Sequence, residues 1–357
     1  MVEQRRSIYG FTLLFAGLML AMPATGGAAA QQGRPPSPLP LSPMLSGTPR
    51  LPLSSERPAP AMPAAWAEAA TVPLWPEGTP SGGYAPRTGV GTPPPIFVRN
   101  IDKPRLHVFR PATPNGAAIL VMPGGAYDFV SIANEGLAVA QDFTARGYTV
   151  FVLLYRLPGE GWKDRADVPL QDAQRAMRII RSEAKRYQVD PALVAAIGFS
   201  AGGHLAATLA TDYAQSVYSP RDAIDRLDAK PAAVGLIYPV IEAEPPYTHR
   251  MSAERLLGEA PTPEAIARRS PARRVTIATP PIFLLHALDD GAVPPENSLA
   301  MLAAMRRIGR PVEAHFTEEG GHGFGLGSPA APAGHWSSMF DLWLRRYLGM
   351  PAPTLAP

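Results

Sequence analysis

The sequence predicts an α/β protein: an eight-stranded, mostly parallel sheet with helices on both faces and a small cap insertion. Two observations carry that reading. Short β-rich runs alternate with longer stretches whose apolar residues recur at helical spacing, the pattern of a parallel sheet covered on both sides. In addition, 357 residues at 46% hydrophobic content suffice for one large core, and no repeat of solenoid or propeller period interrupts them.

The chain opens with Arg5 and Arg6, an apolar run from Ile8 to Met22 and a small-residue stretch from Gly26 to Ala30. That order predicts a signal peptide over residues 1–30, and so a secreted or periplasmic protein. The run is short of the ~20 residues a membrane span needs and ends at Pro23. Arg5-Arg6 followed by Ser7-Ile8-Tyr9 loosely fits a twin-arginine signal. Residues 31–70, rich in Pro, Ser, Ala and Gly, predict a disordered spacer, which would absorb part of the unusual total of 43 prolines. A single folded domain is expected over 71–349 and a loose tail over 350–357.

Within the domain, strands are predicted at Ile96 to Ile101, Leu106 to Arg110, Ala117 to Met122, Tyr148 to Leu154, Leu193 to Phe199, Ala232 to Tyr238, Ile282 to His286 and Val312 to Thr317. Helices are predicted at Ala133 to Arg146, Leu170 to Tyr187, Ala201 to Tyr213, Glu296 to Ile308 and Trp336 to Tyr347. In the second, Leu170, Ala173, Met177 and Ile180 share one face. The segment from Ile241 to Ala267 holds two short helical patterns between the sixth and seventh strands and reads as a partial cap. Chemistry in such sheets collects at the carboxyl ends of the strands.

Composition narrows the function. A net charge of +3 with no basic run interleaved with aromatics gives no nucleic-acid footprint. The absence of cysteine removes disulfides, thiolate metal sites, a cysteine nucleophile and a lipidated N-terminal cysteine. No close cluster of His and carboxylates suggests a metal, and neither a cofactor nor an obligate protein partner is expected.

Gly198-Phe199-Ser200-Ala201-Gly202 lies between a predicted strand and a predicted helix. With 32 glycines in the chain the bare Gly-x-Ser-x-Gly match carries little weight, but its context is that of a nucleophile elbow. The competing reading is a glycine-rich connection with a serine N-cap. A serine hydroxyl needs a base at neutral pH, and His322 answers to that role. It sits in Gly320-Gly321-His322-Gly323-Phe324-Gly325 just after the last strand, whereas the other six histidines fall in strand patterns, on helices or in the insertion. An acid should orient the imidazole. Asp289 and Asp290 follow the seventh strand, and Glu242 follows the sixth as a weaker candidate. Donors for an oxyanion are expected from the backbone N–H groups of Gly125 and Ala126, in Pro123-Gly124-Gly125-Ala126-Tyr127, and from that of Ala201. The order Ser, acid, His, each after its own strand, is that of the α/β-hydrolase fold.

These motifs, with Leu74-Trp75-Pro76-Glu77-Gly78 and the stretch Asp290 to Ser298, resemble the secreted α/β-hydrolase esterases that include acetylxylan and feruloyl esterases. The resemblance spans about residues 72 to 348. It favours Asp290 as the acid, three residues before Val293-Pro294 as in related hydrolases, and leaves Asp289 to a turn or cap. One departure is Ala126, where such enzymes commonly carry a third glycine. The resemblance implies a serine esterase that removes acyl groups, acetyl first among them, from plant polysaccharide or oligosaccharide, with activity rising as a histidine loses its proton. Tyr127, Trp162 and Tyr247 are expected to offer an aromatic surface to sugar rings. The alternatives are a peptidase, a lipase or a dienelactone-hydrolase-like enzyme on the same fold, or a non-catalytic secreted binding protein.

Overall fold

A computed structural model describes residues 61–88 and 94–352. The expected signal peptide, residues 31–60 of the expected spacer and most of the tail lie outside the described residues. The main sheet has eight strands: β1 (Ala70–Pro73), β2 (Arg105–Phe109), β3 (Ala118–Met122), β4 (Thr149–Leu154), β5 (Val194–Phe199), β6 (Val234–Ile237), β7 (Ile282–Ala287) and β8 (Val312–Thr317). Their spatial order is β1-β2-β4-β3-β5-β6-β7-β8. β2 pairs antiparallel with both β1 and β4, and every pair from β4 onward is parallel. The fold is that of the α/β hydrolases.

Sequence dictates this arrangement most firmly at the centre. Ala118-Ile119-Leu120-Val121-Met122 and Val194-Ala195-Ala196-Ile197-Gly198-Phe199 are buried at every position. Because successive side chains of a strand point to opposite faces, both faces must be covered. Two helix pairs provide cover. α2 (Ala138–Ala145) meets α7 (Trp336–Tyr347) through Phe143 and Phe340, whose rings pack edge to face at 5.8 Å. α3 (Val168–Ser182) lies beside α4 (Ser200–Asp212), and Gln174 of α3 donates to the Asp212 carbonyl. Gly235 in β6 lets α7 approach, since a Cβ there would come within 2.7 Å of the Phe340 ring.

The sequence misplaces one strand. Phe97–Val98, expected in the main sheet, instead forms a separate two-stranded ribbon with Val130–Ser131. The outer edge belongs to β1, in register Ala70 to Val108 and Pro73 to Arg105. An edge strand tolerates Pro73 and needs no apolar alternation, so β1 carries little signal. Folded structure also starts before residue 70. The short helix α1 (Ala64–Ala67) buries Trp66, whose ring stacks on His107 of β2 at 3.9 Å.

The insertion after β6 does hold two helices, α5 (Arg250–Leu257) and α6 (Pro263–Arg268), with Thr262 capping the second through a bond from the Ala265 N–H. Arg255 of α5 donates to Asp128 at 2.8 Å, and Arg269 just beyond α6 pairs with Asp167. These bonds hold the cap to the body. No helix among the described residues is long and apolar enough to cross a membrane.

Candidate active site

β5 ends at Phe199 and α4 begins at Ser200, so the chain reverses direction on one residue. Ser200 accordingly has φ +51°, a left-handed conformation that costs a non-glycine residue about 1–3 kcal/mol. The turn closes only because its neighbours are glycines. A Cβ on Gly198 would lie 2.2 Å from the Gly202 carbonyl oxygen, and one on Gly202 would lie 2.1 Å from that of Met122. The strain lifts the Ser200 hydroxyl to the carboxyl edge of the sheet.

On the loop after β8, His322 stands between Gly321 at φ +63° and Gly323 at φ +73°. Its Nε2 is 2.9 Å from Ser200 Oγ and its Nδ1 is 2.7 Å from Asp290 Oδ2. With the ring proton on Nδ1, the serine hydroxyl donates to Nε2 and the imidazole donates to the carboxylate. The other Asp290 oxygen accepts the N–H groups of Ala292 and Val293, both at 2.9 Å. His286 lies on the far side, its Nε2 3.2 Å from Asp290 Oδ2. Burial would raise the Asp290 carboxyl. Bonds from His286, His322 and the Val293 N–H outweigh that effect and hold it well below the usual carboxylate range. Asp289 does something different, accepting the Gly321 N–H at 2.7 Å and so tying down the histidine loop. Glu242 faces Arg273 instead of His322.

The loop after β3 runs through three consecutive left-handed residues: Gly125 at φ +126°, Ala126 at +55° and Tyr127 at +57°. Only glycine fits at 125, where a Cβ would sit 2.1 Å from the Phe129 carbonyl oxygen. Among the described residues neither Gly125 nor Ala126 gives its N–H to another group. Both line a cavity of about 410 Å³ together with Ser200 and His322. Ala201 lies in the first turn of α4, where an N–H has no partner within the helix. At φ +55° a glycine would be relaxed, whereas Ala126 carries the left-handed cost that its methyl group imposes.

A strained serine, a histidine and a buried carboxylate in hydrogen-bonded series, beside free amides in a cavity, are the parts of acyl-transfer chemistry. Comparison with known proteins gives the family. The BD-FAE family model matches residues 106–305. The chain belongs to the BD-FAE family. It is 33% identical over 230 residues to an acetylxylan esterase of Xylanibacter ruminicola, which covers 63% of this chain and 45% of that protein. Among solved structures, an acetyl ester-xyloside bifunctional hydrolase from Caldicellulosiruptor lactoaceticus aligns with TM-score 0.66 and 30% identity, over 79% of this chain and 98% of that one. The esterase Est2 from Thermogutta terrifontis aligns with TM-score 0.58 and 25% identity, over 78% and 97%. The chain spans between 32% and 57% of the length of the curated relatives it matches.

The expected aromatic surface is not where the sequence places it. In this BD-FAE member Tyr127 is buried, its hydroxyl bonded to His204 Nδ1 at 2.8 Å and its ring packed against Tyr155. Trp162 is buried between Arg156 and Tyr84 at a second groove. Tyr247 is exposed on the cap and does not line the cavity. Phe97 and Phe129 supply the cavity's aromatic wall, their rings 4.7 Å apart, with His249 and Met251 facing them from the cap. Sequence reading also missed His286, Glu135 and Tyr238. Among the described residues no group of His, Asp and Glu is arranged to hold a metal ion.

Behind the elbow, His204 donates or accepts at both nitrogens, to Tyr127 Oη and the Arg269 carbonyl, which a neutral ring satisfies with its proton on Nε2. Burial lowers His204 to about 4, and burial with the Arg105 charge lowers His107 to about 4. A depressed histidine contributes stability in full above its ordinary value of 6.5 and loses it as the pH falls toward 4. Glu160, raised to about 7 by burial, works in the opposite sense and offsets part of this. The melting temperature is therefore expected to fall between pH 6.5 and 4, less steeply in His107→Phe, which keeps a ring against Trp66. An unchanged slope in that variant would remove His107 from the account.

Proposed function

We propose that this chain is a carboxylic ester hydrolase that removes acetyl groups from plant polysaccharide or oligosaccharide through an acyl-enzyme on Ser200. The observation that carries the reading is the series Ser200 Oγ, His322, Asp290, at 2.9 and 2.7 Å, opening on a cavity lined by the Gly125–Ala126 loop. His322 Nε2 takes the hydroxyl proton as Oγ attacks the ester carbonyl, and the carbonyl oxygen gains negative charge. The amides of Gly125, Ala126 and Ala201 are the donors for that oxyanion. Collapse returns the His322 proton to the departing sugar alcohol. Water then attacks the acyl-enzyme, again giving its proton to His322, and acetic acid and the free serine result. The carboxylate of Asp290 favours the imidazolium formed twice in the cycle.

Substrate choice draws on the relatives, one named as an acetylxylan esterase and another as an acetyl ester-xyloside hydrolase. A cavity of about 410 Å³ has room for a short acyl group and part of a sugar. The exported start expected from Arg5 to Ala30 would bring the enzyme to polymers outside the cytoplasm. The test is a matched series of acetyl, butyryl, octanoyl and feruloyl esters together with acetylated xylan. A kcat/KM that falls steeply beyond acetyl, with acetate released from xylan, is the expected result. Preference for octanoyl would make the chain a lipase, and activity on small esters with none on xylan would remove the polysaccharide from the proposal.

A further inference from the structure

A carboxylate lies under the site that the acyl-transfer cycle does not use. Glu135 is buried in a single π-helical turn, Ala133–Leu137, that leads into α2, a kind of irregularity frequent at functional sites. Its two oxygens serve two different loops. Oε2 accepts the Gly124 N–H at 2.7 Å, immediately before the proposed oxyanion donors. Oε1 accepts the Tyr238 hydroxyl at 2.9 Å, and the oxygen of that hydroxyl accepts the Gly325 N–H, at 3.0 Å, from the histidine loop. The Tyr238 ring packs edge-on to His322, with centroids 5.0 Å apart. Asn134, one residue earlier, donates to the Gly323 carbonyl at 2.8 Å. The fit is close: a Cβ on Gly124 would sit 2.8 Å from both Glu135 Oε2 and Ser200 Cβ.

We propose that Glu135, acting with Tyr238, is a positioning residue that sets the oxyanion loop and the His322 loop at a fixed spacing across Ser200. Glu135 bonds the oxyanion loop directly and the histidine loop through the Tyr238 hydroxyl, so the two loops are tied through one linkage. A fully buried carboxylate is costly to keep, and burial indeed raises this one. A carboxylate offers two acceptor oxygens, and the Gly124 N–H and the Tyr238 hydroxyl each present it a donor. A glutamine in its place would satisfy one donor and turn an N–H toward the other.

The inference rests on the esterase reading, so wild-type turnover of 4-nitrophenyl acetate is measured first, and an inert wild type overturns both. Rates are then taken per active site, titrated with diethyl 4-nitrophenyl phosphate, so that misfolded protein drops out. Glu135→Gln is expected to lower kcat about 10²-fold with KM within about threefold, the size of losing an oxyanion donor. Tyr238→Phe keeps the ring against His322, removes both hydroxyl bonds and is expected to cost about tenfold. The double variant should be no slower than Glu135→Gln, because both changes break one linkage. Affinity for a trifluoromethyl ketone, which mimics the tetrahedral adduct, should fall in step with kcat/KM. Should Glu135→Gln fail to fold, Tyr238→Phe carries the same test. Per-site kcat within threefold of wild type, losses that simply multiply, or ketone affinity unmoved while kcat falls would each overturn the proposal.

Discussion

Ser200→Ala is expected to lower kcat for acetyl esters by about 10⁶-fold while leaving the protein folded, since loss of the nucleophile disables the whole series at once. A residual rate above that of water should persist, because the amides of Gly125 and Ala126 remain in the cavity beside the vacated position. The backbone adds a second readout. Ser200 holds φ +51°, and alanine inherits that strain whereas glycine does not. Ser200→Gly should thus be equally inactive yet more stable than Ser200→Ala, by about 1 kcal/mol after glycine's own entropic cost. Steady-state kinetics and thermal melts on the two variants check both parts. Activity of either above about 1% of wild type would take Ser200 out of the reaction.

The sequence reads well where one local rule decides the outcome. β3 and β5 are unbroken apolar runs because they are covered on both faces, and such runs stand out in any window. Ser200, Asp290 and His322 stand where strands end, so an ordered reading of strands leads to each of them. The edge is less legible. β1 is four residues, mostly exposed and closed by a proline, so nothing in its composition distinguishes it from linker. Side-chain direction is harder still. Tyr127 follows Gly124-Gly125-Ala126 and suggests an exposed loop, but its φ of +57° turns the ring inward to Tyr155 and His204. Glu135 occupies a helix-period stretch, and spacing does not say that its carboxylate reaches backward under the Gly124 loop. Such contacts join residues whose elements meet only after the sheet has formed.

Asp290→Asn is expected to lower kcat by about 10³–10⁴-fold, with Asp289→Asn within about tenfold of wild type. The difference follows from what each carboxylate accepts. Asp290 Oδ1 receives the Ala292 and Val293 N–H groups, so an asparagine there must keep its carbonyl oxygen toward them. Its amide nitrogen then occupies the place of Oδ2 and points hydrogens at His322 Nδ1. The imidazole can meet them only by moving its own proton to Nε2, where it faces the Ser200 hydroxyl as a donor and can no longer accept its proton. Asp289 makes a single side-chain bond within the site, from the Gly321 N–H, and an asparagine carbonyl can accept that equally well. Geometry would be retained in both variants while only one loses the tautomer it needs. Parallel kinetics decide the matter, with imidazole proton signals near His322 reporting the tautomer directly. A large loss in Asp289→Asn with little in Asp290→Asn would transfer the orienting role to the neighbouring carboxylate.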